Sequence, residues 1–327
     1  ANSSSHHRSL GLPFLSQAAQ DQHDHPTMDP PSVYYNQAWL RASAAGASAG
    51  AALLVRLATR GGLPLAAAGA LGLAGVAYAT MVEPARPVLK YVTLHVPTLP
   101  AALDGLRIGQ ISDMHLGLPH TAQNTLWAKE QMRREQPDLL VFTGDFVSAY
   151  ESIADIPGML RDFHAPLGVY AITGNHDYWP DLNDVHGALC VAGVTLLRNE
   201  HQLLRWHGGT LWLAGVEDVW RGKPDFCAAL GGIPADAFTL LLCHAPDAAD
   251  QAARCGVDVQ LSGHTHGGHI RLPIIGSPSL PRFGVRYVAG QYAVGAMTLY
   301  VSQGLGGISL RFGCPPEATI LTLRRGE

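Results

Sequence analysis

The chain has 327 residues, of which 47% are apolar and only 15% carry a formal charge, a combination that excludes disorder of the whole chain. Its net charge of −4 offers no basic surface to a long nucleic acid, so we expect no such partner. The five cysteines form no C-x-x-C pair, which argues against a disulfide scaffold or a thiolate zinc site.

The N-terminal stretch differs in composition from everything that follows. Residues 1–41 are rich in Ser, Gln, His and Pro and have no sustained apolar period, which predicts a disordered tail. Met28 offers an alternative start, so whether residues 1–27 are native stays open.

Residues 42–82 form a hydrophobic zone dominated by Ala, Gly and Leu, in which Arg56 and Arg60 are the only charged side chains. The part at 61–82 carries no charge and, as a helix rising ~1.5 Å per residue, would reach roughly 33 Å, enough to cross a bilayer core. We therefore predict a membrane anchor in residues 42–82, with the membrane contact made through residues 61–82. A buried helix of a soluble fold and a cleaved signal segment are the alternatives.

Beyond this zone, short apolar runs that end in polar clusters alternate with helical patterns. The helical patterns cover Thr121–Glu135 and Asp181–Val191. Such alternation predicts an α/β fold whose polar clusters meet at one edge of buried sheets. Two later runs, LLRWHGGTLWLAGV and MTLYVSQG, have no helix between their strands and predict hairpins. The five earlier runs are LRIGQISD, DLLVFTGD, GVYAITGN, FTLLLCH and VDVQLSGH.

The polar clusters contain only oxygen donors and imidazole nitrogens. In chain order they are Asp113-Met-His115, Gly144-Asp145, Gly174-Asn175-His176-Asp177, His244 and Gly263-His264-Thr265-His266. A single cluster of this kind occurs often by chance, but five in order, each after a predicted strand, indicate one metal site. Oxygen and imidazole ligands suit Mn, Fe or Zn better than a metal that prefers thiolates.

This set of blocks resembles the calcineurin-like metallophosphoesterase superfamily, and the resemblance covers roughly residues 105–325. It implies a four-layer α-β-β-α sandwich fold, which we place in a catalytic domain at 83–327, since the composition becomes that of a globular domain from Glu83 onward, after the predicted membrane segment. It also implies two divalent metal ions as cofactors, with Mn favoured and Fe or Zn as alternatives.

The resemblance assigns a role to each residue of the blocks. One metal would be held by Asp113, His115 and His266, the other by Asn175, His244 and His264, with Asp145 bridging both. A shared carboxylate is needed to hold two cations about 3.5–4 Å apart against their repulsion. His176 would act as the catalytic group that protonates or stabilises the leaving oxygen, and Asp177 would hold its ring and raise its pKa. A His176 that only hydrogen-bonds phosphate is the alternative.

Departures from the family pattern indicate which branch of the family the sequence resembles. Ser148 stands where purple acid phosphatases have a Tyr ligand, and His176 stands where the common UDP-2,3-diacylglucosamine hydrolase has Arg. The segments SGHTHGGHIRLP and VSQGLGGISLRFGCPPE resemble instead membrane-associated bacterial phosphodiesterases, some of which are alternative UDP-2,3-diacylglucosamine pyrophosphohydrolases of lipid A biosynthesis. His269 stands where that branch often has Gln, and its role stays open between substrate contact, outer-shell partner and surface residue.

Side chains around the last metal block are further candidates. A guanidinium could clamp a second phosphate through paired hydrogen bonds, although a solvated surface position is the alternative for each. Tyr178 and Trp179 could form an apolar wall or simply pack in the core. The arginines concerned are Arg271, Arg282, Arg286 and Arg311.

The sequence therefore predicts a two-metal phosphoesterase that hydrolyses a phosphodiester or pyrophosphate bond by attack of a metal-bridging hydroxide. A lipid-linked substrate such as UDP-2,3-diacylglucosamine fits an enzyme anchored in a bacterial inner membrane, on a side that the sequence does not fix. No protein partner is inferred. The alternatives are a nuclease or cyclic-nucleotide phosphodiesterase of the same superfamily, and a non-catalytic membrane-anchored binding protein, which predicts a broken ligand that we do not find.

Overall fold

The computed structural model describes residues 62–326, together with Gly50, Ala52, Leu53, Val55, Arg56 and Thr59. The tail predicted at 1–41 lies outside the described residues, as does most of the stretch at 42–61.

An apolar helix opens the continuously described part of the chain. Helix α1 spans Gly62–Ala77 and continues as a π-helical turn at Tyr78–Val82 and a 3-10 turn at Glu83–Ala85. No helix among the described residues has both the length and the apolar character needed to cross a membrane. The membrane anchor at 42–82 therefore stays a prediction.

Two six-stranded sheets form the centre of the protein. The first has the order β1-β12-β2-β3-β4-β5, and its neighbours are parallel except for the antiparallel pair β12–β2. Its strands are β1 Val88–Val96, β2 Arg107–Ile111, β3 Leu139–Thr143, β4 Val169–Ile172, β5 Thr195–Leu196 and β12 Glu317–Arg325.

The second sheet has the order β10-β11-β9-β8-β7-β6 and combines a parallel centre with an antiparallel hairpin at each edge. The hairpins β6–β7 and β10–β11 confirm the interpretation of the two later apolar runs. The strands are β6 Glu200–Trp206, β7 Gly209–Gly215, β8 Thr239–Leu242, β9 Val259–Ser262, β10 Gly290–Val294 and β11 Met297–Val301.

The two longer helices of the catalytic domain follow the predicted pattern. Helix α2 spans Thr121–Glu135, as predicted, and α4 spans Leu182–Val191. Asp181 is the N-cap of α4, because its carboxylate accepts hydrogen bonds from the first backbone N–H groups of that helix. The shorter helices are α3 Ile156–Leu160, α5 Phe226–Leu230 and α6 Ala249–Arg254.

Three hydrophobic clusters separate four layers. The central cluster lies between the sheets and joins residues such as Val141 of β3 and Leu240 of β8. An outer cluster packs α2, α3 and α4 on the first sheet, and another packs α5 and α6 on the second. Strands buried on both faces explain why their sequences are nearly continuous apolar runs. The α-β-β-α layering predicted from the resemblance is thus present, and the domain boundary at residue 83 stays a prediction.

Candidate active site

The carboxyl ends of five strands carry the predicted metal ligands to one place. Asp113 and His115 follow β2, Asp145 follows β3, Asn175 follows β4, His244 follows β8, and His264 and His266 follow β9. All seven are buried. Donor atoms within 4.8 Å of one another form two groups, Asp113-His115-Asp145-His266 and Asp145-His244-His264, which share Asp145.

Five of these residues have a backbone conformation that side chains rarely adopt. A positive φ of this kind costs on the order of 1–3 kcal/mol at a residue other than glycine. Strain concentrated in this way indicates that the surrounding structure holds these loops in place for a function. The φ angles are 53° at Asp113, 50° at His115, 57° at Asp145, 73° at His264 and 52° at His266.

The glycines of the blocks are required by close approach of the loops. A Cβ on Gly174 would collide with the carboxylate and backbone N–H of Asp145. A Cβ on Gly263 would collide with the side chains of Ser112 and Asp113. Glycine before Asn175 and before His264 therefore lets the aspartate of a neighbouring strand end approach closely.

Asp145 is the centre of the cluster. Its Oδ2 lies 3.2 Å from Nε2 of His244 and 3.5 Å from Nε2 of His115, and its Oδ1 accepts a hydrogen bond of 2.8 Å from the backbone N–H of His176. Burial opposes ionisation of this carboxyl, but His244, His176 and His115 together outweigh it and hold the pKa of Asp145 well below its usual range. Burial and the neighbouring charge of Asp145 instead raise the pKa of Asp113 to about 6.

Hydrogen bonds on the outer side of two histidine rings decide which nitrogen faces the cluster. Nδ1 of His244 donates to the carbonyl oxygen of Thr143 at 2.6 Å, and Nε2 of His264 donates to the carbonyl of Arg282 at 2.7 Å. Because a carbonyl only accepts, the other nitrogen of each ring faces the cluster, and it presents a lone pair there once the ring is neutral. Lone pairs beside carboxylates are the arrangement that a bound cation stabilises.

Two further observations fit a cation. The side-chain oxygen of Asn175 is buried and has no hydrogen-bond partner among the described residues, although it lines the same space as Asp145. Burial should lower the pKa of His244, yet Asp145 and Asp113 hold it well above its ordinary value. The raised pKa of His244 indicates concentrated negative charge, which a bound cation would balance. The oxygen of Asn175 is a free ligand that such a cation would use.

Arg311 lies behind His266 and was misjudged from the sequence. It is 1% exposed, so the solvated surface position is wrong for it, and backbone carbonyls instead of a second phosphate occupy its guanidinium. Its guanidinium donates to the carbonyls of His266, Gln303 and Gly306 and lies 3.1 Å from Nδ1 of His266. Only the folded chain places a residue from the last loop there, and no local sequence signal identified this contact.

The expected partnership of His176 and Asp177 is wrong. The carboxylate of Asp177 accepts from the backbone N–H groups of Gly174, Asp145 and Phe146 at 2.8–2.9 Å, and so fixes two ligand loops instead of the His176 ring. Burial raises the pKa of Asp177 to about 7, with a contribution from Asp145. Burial also lowers the pKa of His176, the opposite of the expected rise.

His176 itself does lie beside the cluster. Its ring meets that of His115 edge to face at 4.6 Å between centroids and packs against Trp179 at 3.9 Å. Both His176 and Trp179 line the cavity described next, so Trp179 belongs to a wall and not to the core.

A cavity of about 780 Å³ opens over both ligand groups. Its inner end is formed by the buried Asp and His side chains, and its outer walls are largely apolar. His269 also lines the cavity, and its ring stacks on His266 at 4.6 Å, so it is not a simple surface residue. The apolar wall includes Leu118, Trp220, Ile270, Leu280, Ile308 and Leu310.

Comparisons with known proteins agree with this geometry. A family model described as calcineurin-like phosphoesterase matches residues 106–268. The chain is 36% identical over 266 residues to the uncharacterized metallophosphoesterase YkuE of Bacillus subtilis (strain 168), across 79% of this chain and 93% of that protein. It is 33% identical over 198 residues to phosphodiesterase YaeI of Escherichia coli (strain K12), across 58% of this chain and 71% of that protein.

A vertebrate relative is also similar. The transmembrane protein with metallophosphoesterase domain of Danio rerio is 34% identical over 269 residues, across 75% of this chain and 59% of that protein. These similarities make the chain a metal-dependent phosphoester hydrolase, and the Asp/His cluster indicates a binuclear centre for divalent ions. The chain belongs to the calcineurin-like phosphoesterase family.

Proposed function

We propose that the chain hydrolyses a phosphodiester or pyrophosphate bond in a substrate that carries an apolar group. The observation behind this proposal is the cavity, because its apolar outer wall is continuous with the buried ligand groups at its inner end. A phosphoryl group at the Asp/His cluster would leave an attached acyl chain against Ile270, Leu280 and Leu310. UDP-2,3-diacylglucosamine is one lipid-linked substrate of this chemistry.

The seven clustered residues would hold two metal ions. We assign Asp113, His115 and His266 to one ion, Asn175, His244 and His264 to the other, and Asp145 to both. The two donor groups and the unpartnered oxygen of Asn175 support this assignment. Two divalent ions supply Lewis-acid charge to the phosphoryl oxygens and a nucleophilic water at neutral pH. Oxygen and imidazole ligands fit Mn, which we favour, as well as Fe or Zn.

His176 is the residue that we assign to the leaving group. Its backbone N–H bonds Asp145 at 2.8 Å and its ring packs between His115 and Trp179, so the ring has a fixed position beside the cluster. A proton donated from this ring to the leaving oxygen would prevent the build-up of negative charge there. Only the protonated ring can donate, so donation should weaken as the pH rises. Because burial lowers the pKa of His176, this weakening should occur at a lower pH than for a free histidine.

A location at a membrane fits the same substrate. Helix α1 contains no charged residue, and the Danio rerio relative is named as a transmembrane protein. We propose that residues 42–82 tether the enzyme to a bacterial inner membrane, which would place the cavity near a lipid substrate.

The test is hydrolysis by the purified full chain after chelation and after Mn addition. Substrates are a bis-aryl phosphodiester, an aryl phosphomonoester, a cyclic nucleotide and UDP-2,3-diacylglucosamine. We expect Mn-dependent cleavage of the diester and the lipid pyrophosphate, and loss of both in Asp145→Asn. Preference for the cyclic nucleotide would favour the nucleotide phosphodiesterase instead, and absence of metal-dependent cleavage of every substrate would refute the proposal.

A further inference from the structure

A short hairpin beside the cavity presents apolar side chains to solvent. Leu272 and Gly276 pair through two backbone hydrogen bonds of 2.9 Å and hold Pro273, Ile274 and Ile275 between them. Ile274 is fully exposed and Ile275 is 75% exposed. We call residues 273–275 the hairpin tip.

The conformation of the hairpin tip adds a second cost. Ile274 has a φ of 71°, a region that is particularly unfavourable for a β-branched side chain. The two exposed isoleucines bury little apolar surface within the described part of the chain, so packing there does not offset the strain at Ile274. An apolar phase outside the protein would offset the cost of exposure.

The charge around the hairpin tip favours an anionic partner. Residues 259–316 contain no Asp or Glu and four Arg. Arg271 and Arg282 are exposed and form no ion pair with any described residue, whereas Arg286 pairs with Asp250. Exposed apolar side chains in a segment whose exposed Arg271 and Arg282 form no ion pair match the surface of a bilayer that contains anionic lipid.

The hairpin tip is joined to both the cavity and the apolar helix. The backbone N–H of Arg271 donates to the carbonyl of Phe312 at 2.7 Å, and the ring of Phe312 meets that of Tyr78, just after α1, at 6.3 Å. Ile270, which directly precedes this contact, lines the cavity. On α1 itself, Leu71 and Val76 are also exposed.

We propose that the hairpin tip inserts into the surface of a bilayer containing anionic lipid, so that the apolar end of the cavity opens at that surface. The inference builds on the proposed function, because it gives the apolar wall a route to its substrate. A protein partner is less well supported, since the uncharged helix and the unpaired arginines both match lipid.

The test is hydrogen–deuterium exchange of the full chain with and without vesicles of phosphatidylcholine and phosphatidylglycerol. Because α1 could bind vesicles unaided, exchange in the peptide that contains the hairpin tip is the deciding measurement. We expect vesicles to slow exchange at the hairpin tip and not around Val191. Unchanged exchange at the hairpin tip in protein that is bound to vesicles, or failure of the chain to bind them at all, would overturn the inference.

A variant pair makes the test specific. Ile274→Gly with Ile275→Ser keeps the fold, because glycine readily adopts the φ of position 274. In this variant, vesicles should no longer slow exchange in the peptide that contains residues 273–275, and hydrolysis of a soluble aryl phosphodiester should be unchanged. The matched control replaces exposed Val191 and Leu203 by Ser and should bind vesicles like the wild type. Equal slowing of exchange at the hairpin tip in this variant and in the wild type would contradict the inference. Absence of diester hydrolysis by the wild type would refute only the proposed function.

Discussion

The guanidinium of Arg311 lies 3.1 Å from Nδ1 of His266, whose Nε2 is 3.4 Å from Oδ1 of Asp113. Arg311 also donates to the carbonyl of His266 and to those of Gln303 and Gly306. One buried cation therefore fixes both the backbone at a proposed metal ligand and the loop that follows β11. We interpret Arg311 as a residue that positions His266.

Replacing Arg311 should weaken metal binding without removing a ligand. Arg311→Lys keeps the charge but cannot reach several carbonyls at once, so we expect a loss of about tenfold to a hundredfold in metal affinity. Competition with a fluorescent chelator measures this directly. Thermal unfolding of the chelated protein is the control, and an affinity equal to the wild type in a folded variant would contradict the positioning role.

Replacing His176 should reduce turnover by an amount that depends on the leaving group of the substrate. His176→Ala should bind metal normally but lose roughly a hundredfold or more in turnover of a diester with an alkyl leaving group, which needs a proton. A nitrophenolate leaving group needs little help and should be affected much less. Equal losses for both substrates would indicate that His176 only contacts phosphate.

The apolar wall should decide affinity for the lipid part of the substrate. Ile270→Asn and Leu310→Asn place an amide against the proposed acyl chain, and we expect KM for the lipid pyrophosphate to rise by roughly tenfold. Kinetics with a small bis-aryl diester serve as the control and should change little. A parallel loss on both substrates would mean that these variants disturb the metal site.

The pH dependence of stability should change when His269 is replaced by Gln. Burial, with a contribution from the charge of Arg311, lowers the pKa of His269 from 6.5 to about 3. The folded protein therefore holds this ring neutral, and the stability that depends on it is present above pH 6.5 and is lost as the pH falls towards 3. Between these pH limits, the free energy of unfolding should fall more steeply with decreasing pH for the wild type than for His269→Gln. Chemical unfolding measures both slopes, and identical slopes would contradict a buried, neutral His269.

The sequence predicted the parts of the fold that local patterns encode. Helix α2 and the strands that end in ligand blocks follow from apolar period and from the polar residues after each run. The pairing of β1 with β12, which aligns Val88 with Glu317, has no local signal because the strands are distant in the chain.

The same limit applies to the site. The seven ligand candidates are visible in the sequence because each follows a strand, and the fold brings them together. Asp177 was assigned to the neighbouring ring because adjacency is all that a sequence shows, whereas its carboxylate bonds backbone N–H groups of the Asp145 loop. The role of Arg311 depends on a long-range contact, and the hairpin tip at Ile274 depends on a backbone conformation that residue type opposes.

The central claim is that the two ligand groups sharing Asp145 form a two-metal centre for phosphodiester hydrolysis. Its most direct test is a titration of the chelated full chain with Mn, in which bound metal and hydrolysis of a bis-aryl phosphodiester are measured together. We expect activity to rise as the chain approaches two bound ions, and Asp145→Asn to lose both the second ion and the activity. Full activity in the chelated protein, or in Asp145→Asn, would contradict the account.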